Sequence, residues 1–397
     1  MSEENIGAGA LLLRGARVVG PDAVLDQTRV LVVGERITQL YAADETEGAS
    51  DARALDLTGL TLYPGFIDVH IHGAVGVDTM TADAAGLHKV ARFLTTQGVT
   101  VWLPTFVPGP PEDYARAVAA VAQLRAEARA REPAARAVGV HYEGPFVNRA
   151  QCGALRPAYF RTFQNAADIA DLPTVSGAAR MTTVAPEIEG GVALVRELAA
   201  RGWVVSIGHT RAEVATLDAA AAAGARHMTH FFNAMSPLHH RAPGPVGWGL
   251  LRDDVTCDVV ADGVHADPLA LRLALRCKTS ARLLLVSDAV APTGLGDGEY
   301  ELWGERVAVA GGRTRNERGS IAGSVSTVRD GVRMMRSLGA SAVEIARLTA
   351  HNPAALLGLT HECGTIAAGQ RADLTALDDA GRVRLTIVGG RVAFSDL

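Results

Sequence analysis

From Tyr63 onward the chain repeats one pattern: a short, branched apolar run, then a longer helical stretch, then another apolar run. The apolar runs fall at residues 66–71, 99–104, 138–142, 181–184, 204–207, 227–231, 257–260 and 283–287. Near-continuous apolar runs of this length suit strands buried on both faces, as in a parallel sheet. Helices are expected between them, at 84–97, 111–131, 191–200, 211–223, 268–277 and 326–337. Eight strands alternating with helices predict an α/β fold, a (β/α)8 TIM barrel. A doubly wound open sheet would want a glycine-rich phosphate loop after its first strand, and the sequence has none there.

The two ends of the chain read differently. Residues 10–19, 30–33, 37–41 and 54–57 look like short strands broken by Gly20-Pro21 and Gly34-Glu35. A last helix at 341–349 runs into His351-Asn352-Pro353, and a residue before proline avoids helical geometry, so the helix is expected to stop there. Strands then resume at 364–366, 372–377 and 382–394. The expected division is a small discontinuous β domain, residues 1–62 plus 358–397, around a catalytic barrel of residues 63–357.

Active sites of such barrels lie at the C-terminal ends of the strands. Polar residues recur at that place in successive units: His70 and His72, then His141 and Glu143, His209, His230, the Asp262-to-His265 loop, and Asp288. His70 and His72 are two apart, so in a strand they project to the same side. Neutral imidazoles and carboxylates are ligands for Zn²⁺, Fe²⁺ or Mn²⁺. A lone strand-end histidine is usually a hydrogen-bonded core residue. The recurrence of His70, His72, Glu143, His209, His230 and Asp288 outweighs that bland reading. Two ions would need a bridging ligand. The only lysines, Lys89 and Lys278, do not end strands, which leaves Glu143 as the bridge and Asp288 to handle the proton of an activated water. His141 is expected to support the site from behind. His88, His227, His351 and His361 are read as structural.

Composition narrows the function further. A net charge of −5 with 20% charged residues gives no reason to invoke nucleic acid or a membrane surface. The four cysteines form no CxxC pair, which argues against a disulfide framework or a cysteine zinc site. The first residues show no basic start followed by an apolar run, and no apolar stretch approaches a membrane span. A cytoplasmic enzyme acting on a small molecule is the expectation.

At these residues the chain resembles the amidohydrolase superfamily, and within it the N-acetylglucosamine-6-phosphate deacetylase family. The matching stretches are Pro64-Gly65-Phe66-Ile67-Asp68, His141-Tyr142-Glu143-Gly144-Pro145-Phe146, Gly208-His209-Thr210, Thr229-His230-Phe231-Phe232-Asn233-Ala234-Met235, Asp262-Gly263-Val264-His265, Ser287-Asp288-Ala289 and Ile321-Ala322-Gly323-Ser324. The resemblance implies a barrel plus β-sandwich, usually a homodimer, that hydrolyses the acetamide of an amino-sugar phosphate. It implies that Glu143, His209 and His230 hold the principal divalent metal. Some relatives carry Gln-x-Asn in place of His70-x-His72 and bind one ion, so this chain is expected to bind one or two. Asp288 would be general base and then acid, and His265 would polarise the carbonyl. Ala154, Leu155, Asn233, Ala234, Arg241, His265, Ile321, Ala322 and Gly323 would line the substrate site. Leu155 departs from the family, which has a phosphate-binding histidine after Gly-Ala. Arg241-Ala242-Pro243-Gly244 replaces Arg-Glu-Pro-Gly. Competing readings are a deacylase of another N-acylated amino sugar or amino acid, and a non-catalytic scaffold that has kept the barrel.

Overall fold

The computed structural model describes residues 9–42, 45 and 52–397. The opening residues 1–8, part of the N-terminal reading above, lie outside these, as do 43, 44 and 46–51 of the expected β domain. The buried parallel runs pair in chain order. Strands Phe66–Ile71, Val99–Phe106, Gly139–Glu143, Ala179–Val184, Val204–Ile207, His227–Met228, Thr256–Val260 and Leu283–Val286 lie side by side and parallel. The eighth strand returns to the first through a parallel bridge, Ile71 to Ala289. Asp288 N donates to His70 O at 2.9 Å, and His72 N to Ala289 O at 2.8 Å. The fold is a TIM barrel, with a small β-sandwich built from both chain ends.

Helices cover the barrel because their apolar residues recur at helical spacing. In Ala84–Thr96 the buried side chains include Leu87, Val90, Ala91 and Leu94, and Asp83 caps the start by accepting from Gly86 N. Thr327 and Asp330 form a capping box at the start of Val328–Ser337. The chain ends build two sheets outside the barrel. One runs in the order Arg36–Tyr41, Arg29–Val33, Ala10–Arg14, Arg53–Asp56. The other joins Leu374–Leu377, Val383–Val388 and Arg391–Ser395 to Thr61–Pro64, Arg17–Val19 and Val24–Leu25. Their shared apolar cluster mixes Leu11, Leu13, Val18 and Val30 with Leu374, Leu385 and Ile387, which favours treating the two chain ends as one unit. Among the described residues, no helix is long and apolar enough to cross a membrane.

A buried carboxyl bridges the seam between the first and eighth strands. Asp68, fully buried, accepts from Ser287 Oγ at 2.5 Å, Ser287 N at 3.2 Å and His70 N at 3.3 Å. Burial pushes its pKa up to about 7 against the pull of the Ser287 and His70 hydrogen bonds. Asp68→Ala would leave three buried donors without an acceptor. At about 1–3 kcal/mol for each unsatisfied group, less what relaxation recovers, we expect a loss of about 3 kcal/mol, read as a drop in the urea midpoint. An unchanged midpoint would show that closure rests on backbone pairing alone.

Several local expectations need correction. The residues around His351-Asn352-Pro353 do not stop a helix. Arg347–His351 forms a π-helical turn, and Asn352–Leu356 continues as α-helix. Pro353 stands in the first turn of that segment, directly after the π-helical turn, in which Asn352 N bonds Arg347 O. Asn352 is pinned there, its Nδ2 donating to Ser280 O and Leu283 O, each at 2.7 Å. The sixth strand ends at Met228, because positive φ at His230 (+27°) and Phe232 (+82°) turns the chain out of the ladder. The run 10–19 breaks at Gly15, whose φ of +83° and contact with Thr58 leave no room for a Cβ. Residues 364–366 form no strand, and 382–394 is split by Gly389-Gly390. Gly298–Leu302, Glu305–Ala310 and Arg313–Asn316 form an antiparallel three-stranded sheet that the sequence reading did not contain.

Candidate metal centre and active site

Three of the expected site residues arrive by the same local device. His209, His230 and Asp288 each lie two residues past the end of a barrel strand, with φ of +48°, +27° and +50°. Left-handed backbone at a non-glycine residue costs about 1–3 kcal/mol and persists where surrounding contacts hold it. Here it turns each side chain back over the barrel mouth. Gly208 helps, since a Cβ there would lie 2.5 Å from Thr229 Cγ2 and 2.7 Å from Thr183 Cγ2. His70 and Glu143 come straight from their strands, and His72 follows one residue after its own.

The structure brings these side chains together. Glu143 Oε1 lies 2.9 Å from both His209 Nε2 and His230 Nε2, which are 3.1 Å apart. His70 Nε2 and His72 Nε2 are also 3.1 Å apart, and Glu143 reaches them at 3.7 and 3.4 Å. Two triads therefore share Glu143: His70, His72, Glu143 and Glu143, His209, His230. Asp288 Oδ1 stands 3.3 Å from His72 Nε2 and 3.5 Å from His70 Nε2, and its Oδ2 lies 3.8 Å from His265 Nε2.

The donor chemistry fits a divalent ion. His209 Nδ1 donates to Gln151 O at 2.7 Å, so in the neutral ring Nε2 presents a lone pair to Glu143 and His230. Lone pairs converging at such distances repel unless a cation lies among them. The electrostatics point the same way. Burial works against a charge on His72, yet hydrogen bonds with Asp288 and Glu143 raise its pKa to about 10. Burial likewise opposes a charge on His230, while its hydrogen bond with Glu143 lifts its pKa to about 9. Where those rings carry protons on Nε2, hydrogen bonds from His209, His230 and His72 hold Glu143 well below the ordinary carboxylate range despite its burial. Burial drives His70 well below the usual histidine value. The carboxylates draw positive charge to this point, and a divalent cation would meet the same demand.

A cavity of about 270 Å³ opens over this cluster. It is lined by His72, Glu143, Ala154, Leu155, His209, His230, Asn233, Ala234, His265, Asp288, Ile321 and Gly323, together with Gly153, Ser320 and Trp303. His265 is aimed by Asp262, whose Oδ2 accepts from its Nδ1 at 2.8 Å. Leu155 packs with Val107 and Val147. Gly323 closes on Asp288, whose carbonyl accepts from Ser324 N at 2.8 Å. Ala322 is buried beside Val290 and does not line the cavity. Arg241 does not line it either. It is exposed, with Nη1 2.8 Å from His240 Nε2. His141 stands behind His70, edge-on at 4.7 Å, with Nε2 2.9 Å from Thr183 Oγ1. Its burial pushes the pKa down to about 3.

Trp303 was missed by sequence reasoning. It sits in the turn between Gly298–Leu302 and Glu305–Ala310, its ring edge-on to His72 at 5.2 Å and its Nε1 donating to Asp78 Oδ2 at 2.9 Å. Alternating polar and apolar residues around Trp303-Gly304 and Gly311-Gly312 were the available signal for a hairpin. Nothing in the local sequence shows that this turn reaches the site.

Similarity to known proteins follows the same lines. The amidohydrolase family profile matches residues 61–393. The chain is 37% identical over 339 residues to N-acetylglucosamine-6-phosphate deacetylase of Bacillus subtilis, covering 84% of each protein. It is 33% identical over 384 residues to N-acetylgalactosamine-6-phosphate deacetylase of Escherichia coli O157:H7, covering 96% of this chain and 99% of that one. Among solved structures, a mutant N-acetyl-D-glucosamine-6-phosphate deacetylase from Mycobacterium smegmatis, in complex with N-acetyl-D-glucosamine-6-phosphate, superposes with a TM-score of 0.87 at 30% identity. That match covers 98% of this chain and 100% of the other. Fold, strand-end histidines and whole-length similarity agree that this chain belongs to the amidohydrolase family.

Proposed function

We propose that the protein hydrolyses the acetamide of N-acetylglucosamine 6-phosphate, giving glucosamine 6-phosphate and acetate. The observation that carries this reading is Asp288, set between the His70–His72 pair and His265 at the floor of the cavity. Glu143, His209 and His230 would hold the principal metal, and His70, His72 and Glu143 a second. A bound divalent ion supplies Lewis acidity, polarising the amide carbonyl and making water more acidic. Asp288 takes the proton of the attacking water as the new C–O bond forms, then delivers it to the nitrogen as the C–N bond breaks. His265, oriented by Asp262 through Nδ1, is the proposed group that polarises the carbonyl and faces the developing oxyanion. Leu155, Ile321 and Trp303 give the cavity an apolar wall, while Asn233 offers polar contacts to the sugar. Zinc, iron or manganese suits this donor set. We expect chelation to abolish acetate release and Zn²⁺, Fe²⁺ or Mn²⁺ to restore it. Full activity in protein that is metal-free by elemental analysis would end the metal reading.

The 6-phosphate brings negative charge, and Arg241 is the proposed partner. Its guanidinium is exposed, with no carboxylate partner among the described residues. A charge-assisted hydrogen bond contributes about 1.5–3 kcal/mol, or roughly ten- to a hundred-fold. Arg241→Ala should lower kcat/KM by that factor for the phosphorylated sugar and change little for the unphosphorylated one. Equal losses on both sugars would separate Arg241 from the phosphate. Acetate release should be compared on N-acetylglucosamine 6-phosphate, its unphosphorylated parent and the 4-epimer, N-acetylgalactosamine 6-phosphate. The last tests a second reading raised by the Escherichia coli relative. A homodimer in the cytoplasm is the proposed setting, checked by light scattering on the purified protein and by cell fractionation.

A further inference from the structure

Candidate ligands in this site are aimed in different ways. His209 is fixed through Nδ1 on the Gln151 carbonyl at 2.7 Å, and His70 through Nδ1 on Thr229 Oγ1 at 2.9 Å. A hydrogen bond on the far nitrogen is the usual means of orienting a ligating imidazole. His72 lacks one but packs edge-on against Trp303. His230 has neither. Its Nδ1 is buried with no hydrogen-bond partner among the described residues, and its recorded ring contacts are with His209 and His70. With no outer hydrogen bond, the aim of His230 rests on those rings and on its backbone.

That backbone is unusual, with φ at +27°, and such a conformation lasts only where its surroundings impose it. Asp258 imposes it. Its carboxyl Oδ1 accepts the His230 N–H, and its main-chain carbonyl accepts Phe231 N at 2.8 Å. The other carboxyl oxygen lies 2.8 Å from His227 Nε2, and His227 Nδ1 lies 2.7 Å from Thr256 Oγ1. Asp258 and His227 are fully buried, and neither lines the cavity.

We propose that Asp258, braced by His227, is the positioning residue for His230: it clamps the turn that carries this ligand and so sets metal affinity. The proposal rests on reading His230 as a ligand. A merely structural pair would lower stability on removal yet leave the folded protein's metal affinity unchanged.

The test compares wild type, Asp258→Ala, Asp258→Asn and His230→Ala. Affinity for Zn²⁺ is measured by chelator competition, the Co²⁺-substituted visible spectrum is recorded, and thermal unfolding is followed alongside. Asp258→Ala is expected to weaken metal binding about 10- to 100-fold, the usual effect of losing an outer partner, and to alter the cobalt spectrum. Asp258→Asn keeps an oxygen for the His230 N–H, and its amide can donate to His227 Nε2. It is expected to restore both readouts. A folded Asp258→Ala with wild-type affinity and spectrum overturns the proposal, as does an Asp258→Asn no better than Asp258→Ala. If Asp258→Ala does not fold, Asp258→Leu, which fills the volume without an acceptor, is read in the same way. If neither folds, the role is structural and the proposal fails. His230→Ala separates the two ideas: if it also keeps wild-type affinity, the ligand assignment itself has failed.

Discussion

Asp288→Asn is expected to keep the fold and the metal and to lose turnover by about 10²- to 10⁴-fold, the usual contribution of one positioned proton-transfer group. The change is nearly isosteric. Asparagine also tolerates left-handed backbone well, so the φ of +50° at this position should survive. What the amide cannot do is accept a proton from water between the His70–His72 pair and the scissile carbonyl. Steady-state turnover, metal content and melting temperature on one preparation decide the matter. Near-normal turnover with full metal would move the base elsewhere. His265 would then be the group to examine, since His141 stands behind His70 and is engaged with Thr183.

His230→Ala should empty the principal metal site and remove most activity. His230 Nε2 lies 2.9 Å from Glu143 Oε1 and 3.1 Å from His209 Nε2, so its loss leaves two of three donors. Lewis-acid stabilisation amounts to several kcal/mol, and each 1.4 kcal/mol is about tenfold, so roughly 10³-fold or more in rate is at stake. Truncation also creates a small void, but the side chain is at the cavity floor, so the fold should tolerate it. Elemental analysis should show the ion lost or reduced. A His230→Ala protein retaining both its metal and its rate would falsify the ligand assignment. Asp288→Asn and His230→Ala together distinguish a missing proton carrier from a missing cation, because only the second should empty the site.

Sequence alone was enough for the barrel and for the family. Strands buried on both faces need near-continuous branched apolar runs, and the crossover between parallel strands needs a helix, so the alternation from Phe66 to Val286 has few other solutions. A barrel also exposes one end of every strand on one face, which is why His70, His72, Glu143, His209, His230 and Asp288 could be gathered before any distance was known. Local wording was less reliable at element ends. Pro353 looked like a stop, yet the helix passes through it by way of a π-turn, because Asn352 is tied to Ser280 and Leu283.

Other features were settled only by tertiary structure. Asp68 bridges the seam to Ser287 across 219 residues, and Trp303 reaches His72 from a hairpin inserted after the last strand. Asp258 and His227 look like ordinary strand residues until the sixth and seventh strands pair and hold the turn at His230. Arg241 follows the strand-six motif closely in sequence, yet its guanidinium lies against His240 and is not part of the cavity lining. A one-dimensional pattern reports what each residue contributes to its own strand or helix, because periodicity is a local property. Which buried donor meets which acceptor depends on packing between segments distant in the chain, and a local pattern does not contain that pairing.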